Sequence, residues 1–401
     1  MDARISAVAL SMVLLLALSL VPLASHAQLE EARRRAIATF DSGTLPGGLR
    51  APIRFNDVAV DQAKITQPWL AVPFDQAAYT YSYQEIEAKW PLLMRGLRFP
   101  FPSPSFLKSR YEAFPAFRQT LRYGDDDWQM HSYNTLEVWQ AFFRGDFRLA
   151  RDQGRYYGGY SLIPALFAQI MYAQYLAPSY ELRQMLLQDA ITQMQDLAQL
   201  VPIALGEEAF VSEYVLLRMG FSYAVGRLAE YMPVIAGISQ GHAQQMVNAA
   251  AEALAADPEH PFLMALNGAF DANVIRRLGS IGGRLTMANQ LDKSRELFAE
   301  ALRRAPDQPV VRLEYANSLL YVEQGGALQE AIKHLSVAEA LPALYSMEAL
   351  DALYAKKRLR EIQAFQRSGV SFRAFDRERR RHMERSGENL YSVMLPPFLV
   401  K

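Results

Sequence analysis

The chain has 401 residues, 51% hydrophobic and 21% charged, which is long enough for two or three domains or one extended helical array. Its 42 Lys and Arg residues balance its 42 Asp and Glu residues, so no net field recruits nucleic acid. The chain contains no cysteine, which excludes disulfides, zinc–thiolate sites, iron–sulfur clusters, thiol catalysis and a lipid anchor on cysteine.

The first 27 residues are organised like a cleavable secretory signal. Arg4 provides the positive start, residues 7–23 form an apolar run, and Ser25 and Ala27 place small side chains where a signal peptidase cuts. An uncleaved anchor is the alternative, but roughly 17 apolar residues are near the lower limit for spanning a bilayer. We therefore expect cleavage after Ala27 and an exported, periplasmic mature protein.

Residues 28–131 form a segment rich in proline and aromatic residues. Nine of the 21 prolines lie between Asp41 and Pro115, and this density prevents long helices. We expect irregular backbone with short helical pieces. The segment either wraps over the open end of a helical array or serves as a polyproline ligand or peptide groove. The wrap is favoured because large rings left in water would promote association.

Residues 132–355 show the apolar period of helices in series. The first helix leads to Gly145, Asp146 and Phe147, a turn that is typical of helix hairpins because glycine allows a positive φ. Further helices follow with short Gly and Pro breaks between them. This pattern predicts an all-α architecture built from helical hairpins.

Three prolines mark a repeat in this array. Pro258, Pro306 and Pro342 follow similar runs of small and large apolar residues, at spacings of 48 and 36 residues. A tetratricopeptide repeat (TPR) has a period of about 34 residues, so the longer spacing contains an insertion of about 14. We expect this insertion to be a flexible loop within residues 277–290, on the face that binds a partner.

The run from Asn134 to about Arg360 resembles exported bacterial TPR-type proteins and the helical T component of TRAP-type solute transporters. The resemblance implies an exported scaffold of packed helix pairs that binds protein or solute on a concave face. The fold class expected is all-α, a degenerate TPR-like solenoid with an irregular N-terminal segment. The matching elements are Phe143–Phe147, Tyr223–Arg227, Gly237–Ser239, Asp257–Pro258, Leu297–Leu302 and Arg312–Asn317.

Ser239 lies in a literal G-x-S-x-G sequence, the spacing of the nucleophile elbow in α/β-hydrolases. That elbow needs a buried parallel sheet, whereas nearly every apolar stretch here has a helical period. A loop between helices, where glycines permit a tight turn, is the favoured interpretation. A serine hydrolase remains a remote alternative.

The sequence predicts no metal site and no cofactor. Its histidines are scattered, with no pair at metal-binding spacing. Asp125, Asp126 and Asp127 lack the glycine and glutamate of an EF-hand, so we expect them to cap the helix that starts near Ser132 or to lie solvated in a loop. The glycines at 279–283 lack the Gly-Lys-Ser/Thr ending of a phosphate-binding loop.

Residues 356–401 form a basic helix and tail. From Asp351 to Arg385 there are eleven Lys or Arg residues and five Asp or Glu residues. The helix either caps the last apolar face of the array or lies on an anionic membrane, and capping is favoured. Residues 391–400 are apolar and are expected to dock on the body.

We expect a non-catalytic scaffold that mediates protein–protein interaction in the periplasm. The alternative is a solute- or lipid-binding accessory of a transporter, with a small apolar or anionic ligand and possible peripheral contact with a membrane. Nucleic acid is not expected as a partner. The candidate interaction residues are Trp139, Phe143, Tyr157, Tyr160, Arg227, Arg276, Arg277, Arg284, Tyr315 and Asn317.

Overall fold

A computed structural model describes residues 58–122, 126–200, 211–229, 242–278, 280–386 and 389–391. Within these ranges the chain is all-helical without a β-strand, which confirms the predicted class. The predicted signal peptide and Ser239 lie outside the described residues. The α-helices are α1 (Gln62–Ile65), α2 (Tyr83–Leu93), α3 (Pro104–Ala113), α4 (Pro115–Arg118), α5 (Trp128–Arg144), α6 (Phe147–Tyr157), α7 (Leu162–Tyr175), α8 (Tyr180–Leu200), α9 (Val211–Ala229), α10 (His242–Ala256), α11 (Pro261–Leu278), α12 (Ser280–Arg304), α13 (Pro309–Val322), α14 (Leu328–Ala340), α15 (Ser346–Ser368) and α16 (Phe372–Ser386).

Helices α5 to α15 pack in chain order, each against the next. In addition, α5, α7, α9, α11, α13 and α15 form a series in which each helix contacts its successor. The array therefore has two layers, with one helix of each hairpin in the series and its partner outside it. Helix α15 then returns to contact both α5 and α7, at the beginning of the series.

The start of α15 makes this return contact. The Tyr345 ring lies 6.1 Å from Phe142 and 5.6 Å from Phe143, between ring centroids. The hydroxyl of Ser346 donates to the Phe142 carbonyl at 2.6 Å. In an open solenoid each repeat touches only its neighbours. Here the first and last hairpins meet, so the array closes on itself, which the sequence did not predict.

Local signals set the first hairpin as expected. Gly145 has a φ of 86° and ends α5, and Asp146 caps α6 by accepting a hydrogen bond from the Leu149 amide at 3.3 Å. Asp127 accepts from the Met130 amide at 2.9 Å, which confirms the predicted capping role. Because this cap precedes Trp128, α5 begins there and not near Ser132.

The repeat core and its prolines also lie where the pattern places them. Pro258, Pro306 and Pro342 each lie two residues beyond the end of a helix, at α10, α12 and α14. Proline cannot continue the hydrogen bonding of a helix, so it accompanies helix ends. The apolar positions of the pattern are buried: Phe298, Ala301, Val311, Ala316, Leu319, Ala331, Leu335 and Ala338.

The predicted loop within residues 277–290 is wrong. Helix α11 extends to Leu278, and α12 begins at Ser280 and continues for 25 residues. The extra residues therefore lengthen one hairpin. Gly282 and Gly283 are tolerated because most residues after them, from Arg284 onward, favour helix.

The N-terminal segment is made of short helices, as predicted, and its rings lie in the common core. Trp90 packs 5.7 Å from Trp139 and donates its indole N–H to the Phe99 carbonyl at 2.8 Å. The segment also reaches the far end of the array, where Arg95 pairs with Glu348 at 2.7 Å. Its described part also contacts the middle of the array, where Arg98 pairs with Asp257 at 3.2 Å and Arg110 with Glu213 at 3.0 Å. This part therefore crosses several hairpins and does not merely cover one end.

The basic C-terminal helix packs on α15, which itself runs through the predicted boundary at residue 355. The Phe375 ring stacks 4.9 Å from Phe365, and Arg379 contacts Glu361 at 3.2 Å. This packing supports the capping interpretation. Beyond it, the Leu390 amide donates to the Tyr175 carbonyl at 2.8 Å and the Tyr391 hydroxyl to the Ala71 carbonyl at 2.6 Å. The rest of the tail predicted to dock, residues 392–400, lies outside the described residues.

None of the helices in the described ranges has the length and hydropathy needed to cross a bilayer.

Candidate functional site

Three of the aromatic candidates are core residues. Trp139, Phe143 and Tyr160 are each fully buried, so their assignment to an exposed interaction surface is wrong. The N-terminal segment covers the first two, with the Trp90 ring 6.1 Å from Phe143. The Tyr160 side chain is fixed within the core, because its hydroxyl donates to the buried Glu213 carboxylate at 2.7 Å.

The candidates in the repeat region are also engaged within the fold. Tyr315 is buried and stacks 4.7 Å from Phe298, and Asn317 is buried and accepts from the Arg358 guanidinium at 3.3 Å. Arg227 pairs with Glu314. The remaining candidates lie on α11 and α12, and their side chains are outside the described residues: Arg276, Arg277 and Arg284.

Tyr157 belongs to a cluster of four tyrosines that we call the tyrosine surface: Tyr83, Tyr133, Tyr156 and Tyr157. Tyr83 opens α2, Tyr133 lies on α5, and the other two end α6. Tyr133 is 50% exposed and Tyr156 is 48% exposed, whereas Tyr83 and Tyr157 are half-buried. The Tyr83 and Tyr133 rings lie 4.6 Å apart and the Tyr156 and Tyr157 rings 5.5 Å apart.

Glu137 fixes the centre of the tyrosine surface. The Tyr157 hydroxyl donates to its carboxylate at 2.7 Å, and Glu137 lies one helical turn after Tyr133 on α5. Burial and this contact raise the pKa of Tyr157 to about 12. Burial and the hydrogen bond to Tyr133 likewise raise the pKa of Tyr83. Both phenols therefore stay neutral at physiological pH and can donate and accept hydrogen bonds.

A close turn holds Tyr156 and Tyr157 in place. Gly158 has a φ of 73°, and a Cβ there would lie 2.0 Å from the Thr120 carbonyl oxygen, so only glycine fits. The Arg122 amide donates to the Tyr157 carbonyl at 3.1 Å. This contact places the Arg122 guanidinium 5.3 Å from the centre of the Tyr156 ring. The exposed Tyr156 ring is thus held by the turn at Gly158 and by the Arg122 guanidinium beside it.

The tyrosine surface combines features that are typical of recognition sites. Tyrosine provides a rigid ring and a polar tip, and it is enriched, with arginine, among residues that dominate binding energy. Sequence reasoning found only Tyr157. Tyr83 and Tyr133 lie on different elements, and only the packing of α2 against α5 brings them together.

Comparison of the chain with protein-family models, curated proteins and solved structures gives no match. The geometry of the described residues is therefore the basis for the functional proposals.

Proposed function

We propose that the chain is a non-catalytic, exported, TPR-like scaffold that binds a partner protein through the tyrosine surface. The observation that carries this proposal is the pair of half-exposed rings, Tyr133 and Tyr156, which are ordered by Tyr83, Glu137 and Arg122. A binding site with side chains already fixed loses little conformational entropy when a partner docks.

A peptide segment of a protein is the partner that this surface fits. Ring faces bury apolar side chains, and neutral phenol groups hydrogen-bond to backbone amides and carbonyls. Glu137 and Arg122 supply one charge of each sign, which suits a polar backbone better than a strongly charged ligand. The other large apolar side chains that are exposed in the described ranges are Leu70, Leu92 and Tyr391. The Tyr391 hydroxyl donates to the carbonyl of Ala71, next to Leu70, at 2.6 Å.

Site-specific photocrosslinking tests the proposal. A benzoylphenylalanine placed at Tyr133 or at Tyr156 in the exporting cell is expected to crosslink one defined protein. Tyr391 is the matched control, because it is 47% exposed and lies outside the tyrosine surface. The proposal fails if neither position crosslinks a protein, or if the control position captures the same protein with equal yield.

A solute-binding role is the second candidate function. It is supported by a polar cluster in which the Tyr175 hydroxyl is hydrogen-bonded to the buried Asp351 and Arg227 pairs with Glu314. This cluster shares no residue with the tyrosine surface. The serine hydrolase alternative receives no support from the described residues, because Ser239 is outside them.

A further inference from the structure

Helices α7, α9, α13 and α15 meet at a polar cluster that we call the junction: Tyr175, Tyr223, Arg227, Glu314 and Asp351. The Tyr175 hydroxyl is hydrogen-bonded to one carboxyl oxygen of Asp351. The Arg227 guanidinium pairs with Glu314. Tyr223 lies close enough to both pairs to interact electrostatically with Arg227, Glu314 and Asp351. One cluster therefore joins the early helices of the array to the late ones.

The junction contains an unsatisfied buried group. Asp351 is 1% exposed, and its second carboxyl oxygen, Oδ2, has no hydrogen-bond partner in the part of the chain that the structure describes. The Tyr345 hydroxyl, at the same end of α15, is fully buried and also lacks one there. Buried polar atoms in proteins nearly always have a partner, from the protein, from water or from a ligand.

The ionisable side chains of the junction are already engaged with one another, Arg227 with Glu314 and Asp351 with the Tyr175 hydroxyl. Burial, with the nearby carboxylates of Glu314 and Glu348, raises the pKa of Asp351 well above its usual range. Arg227 opposes this shift, but it is already paired with Glu314. The hydrogen bond from Tyr175 also opposes it, but the net shift favours the protonated, uncharged form of Asp351, and the charges of Arg227 and Glu314 offset each other. An ion that bound here would find no unpaired opposite charge to offset the loss of its hydration, so its binding would be costly.

The two pairs of the junction differ in exposure. The side chains of Arg227 and Glu314 are 15% and 13% exposed, whereas Tyr175 and Asp351 are buried. The Tyr175 ring also lies 5.7 Å from the Tyr354 ring, so aromatic faces stand beside the buried carboxyl. Hydrogen-bonding groups and ring faces therefore lie side by side in the junction.

We propose that the junction binds a small, uncharged solute rich in hydroxyl groups, such as a monosaccharide or a polyol. A hydroxyl group both donates and accepts, so it pairs with Asp351 Oδ2 wherever the carboxyl proton lies. The carbon face of such a solute packs on tyrosine rings. This site is independent of the proposed partner-binding function, because it shares no residue with the tyrosine surface.

Binding of defined probes to the purified full chain tests the proposal. Isothermal titration and ligand-observed NMR are run with glucose, mannitol and glycerol as neutral probes, and with glutamate, arginine and phosphate as charged probes. Wild type is expected to bind at least one neutral probe. Asp351→Ala and Tyr175→Phe are expected to weaken that binding at least ~10-fold, because each removes a hydrogen-bonding group of the junction.

Asp271→Asn is the matched control. Asp271 on α11 is also buried, and one of its oxygens also lacks a partner in the described ranges, but it is not part of the junction. This variant is expected to bind like wild type. Circular dichroism checks folding, and Tyr175→Phe, which removes a single hydroxyl, still decides the question if Asp351→Ala does not fold.

Four results would overturn the proposal. These are the absence of binding by every neutral probe, binding of charged probes alone, and an equal loss of affinity in Asp271→Asn. The fourth is a crystal structure, grown with the tightest neutral probe, in which only ordered water contacts Asp351 Oδ2.

Discussion

At the scale of single residues, Asp351 makes the stability of the folded chain depend on pH. Burial raises its pKa in the folded chain, whereas in the unfolded chain it loses its proton near the ordinary value of about 3.9. Above that pH the folded state binds more protons than the unfolded state. The free energy of unfolding therefore falls as pH rises towards the raised pKa.

Asp351→Asn removes this proton and keeps the shape of the side chain. We expect the variant to be more stable than wild type at about pH 8, because it no longer opposes ionisation, and we expect the difference to shrink towards about pH 4. Thermal unfolding measured across this range checks the prediction. Asp257, Asp271 and Glu348 also have raised pKa values, so only the difference between the two chains is diagnostic. A difference that stays constant with pH would contradict it.

At the scale of elements, the long hairpin of α11 and α12 depends on a close approach at Gly268. A Cβ there would lie 2.9 Å from the Phe298 ring and 3.3 Å from the Ser294 carbonyl oxygen. The ring cannot move easily because it is stacked against Tyr315. Ser294 also donates to the Gly268 carbonyl at 2.8 Å, which keeps the two helices together.

Gly268→Ala is expected to destabilise the chain, because overpacking of a core costs about 1–3 kcal/mol. The better helix propensity of alanine offsets up to about 1 kcal/mol of this. Urea unfolding measures the net change. Gly326→Ala is the control, since a Cβ at that position meets no atom within 4 Å. Equal stability of the two variants would show that the hairpin does not pack as described.

Element boundaries were the part of the fold most open to prediction. The prolines at 258, 306 and 342 and the Gly145–Asp146 turn act within a few residues, so the sequence alone marks these helix ends. The glycine pair at 282–283 is also a local signal, and it led to the wrong prediction of a loop within residues 277–290. Its local preference for a turn is weaker than the helical preference of its neighbours and the packing of α12 on α11.

Side-chain exposure was much harder to predict. The helical period places Trp139 and Phe143 on an apolar face, but it does not say what covers that face. The cover is Trp90 and its neighbours, from a segment about 50 residues earlier whose path is irregular. The tyrosine surface could not be predicted for the same reason, because it depends on where the start of α2 packs against α5.

At the scale of the whole molecule, closure of the array distinguishes this fold from an open solenoid. Helix periods and repeat spacings describe contacts between neighbouring hairpins, and small differences in their angles add up along the array. The contact between Tyr345 and Phe142, some 200 residues apart in the chain, depends on how these angles accumulate over the whole array. No local signal encodes it.

Tyr345→Ala tests closure. The buried ring contacts both Phe142 and Phe143, so its removal leaves a cavity that costs about 3–5 kcal/mol. We expect faster amide hydrogen exchange at the end of α5 as well as at the start of α15. Tyr345→Phe is the control, because it keeps the ring and removes a hydroxyl that has no partner in the described ranges. Faster exchange confined to α15 and its chain neighbours would mean that the array is open.

The central functional claim is that the tyrosine surface binds a partner protein. The most direct measurement is the Kd of the purified chain for the protein captured by crosslinking. The variant carrying both Tyr133→Ser and Tyr156→Ser is predicted to bind at least about 30-fold more weakly than wild type, since each removes an exposed anchor ring. The Tyr391→Ser control is predicted to bind like wild type. Equal affinity of all three chains would contradict the claim.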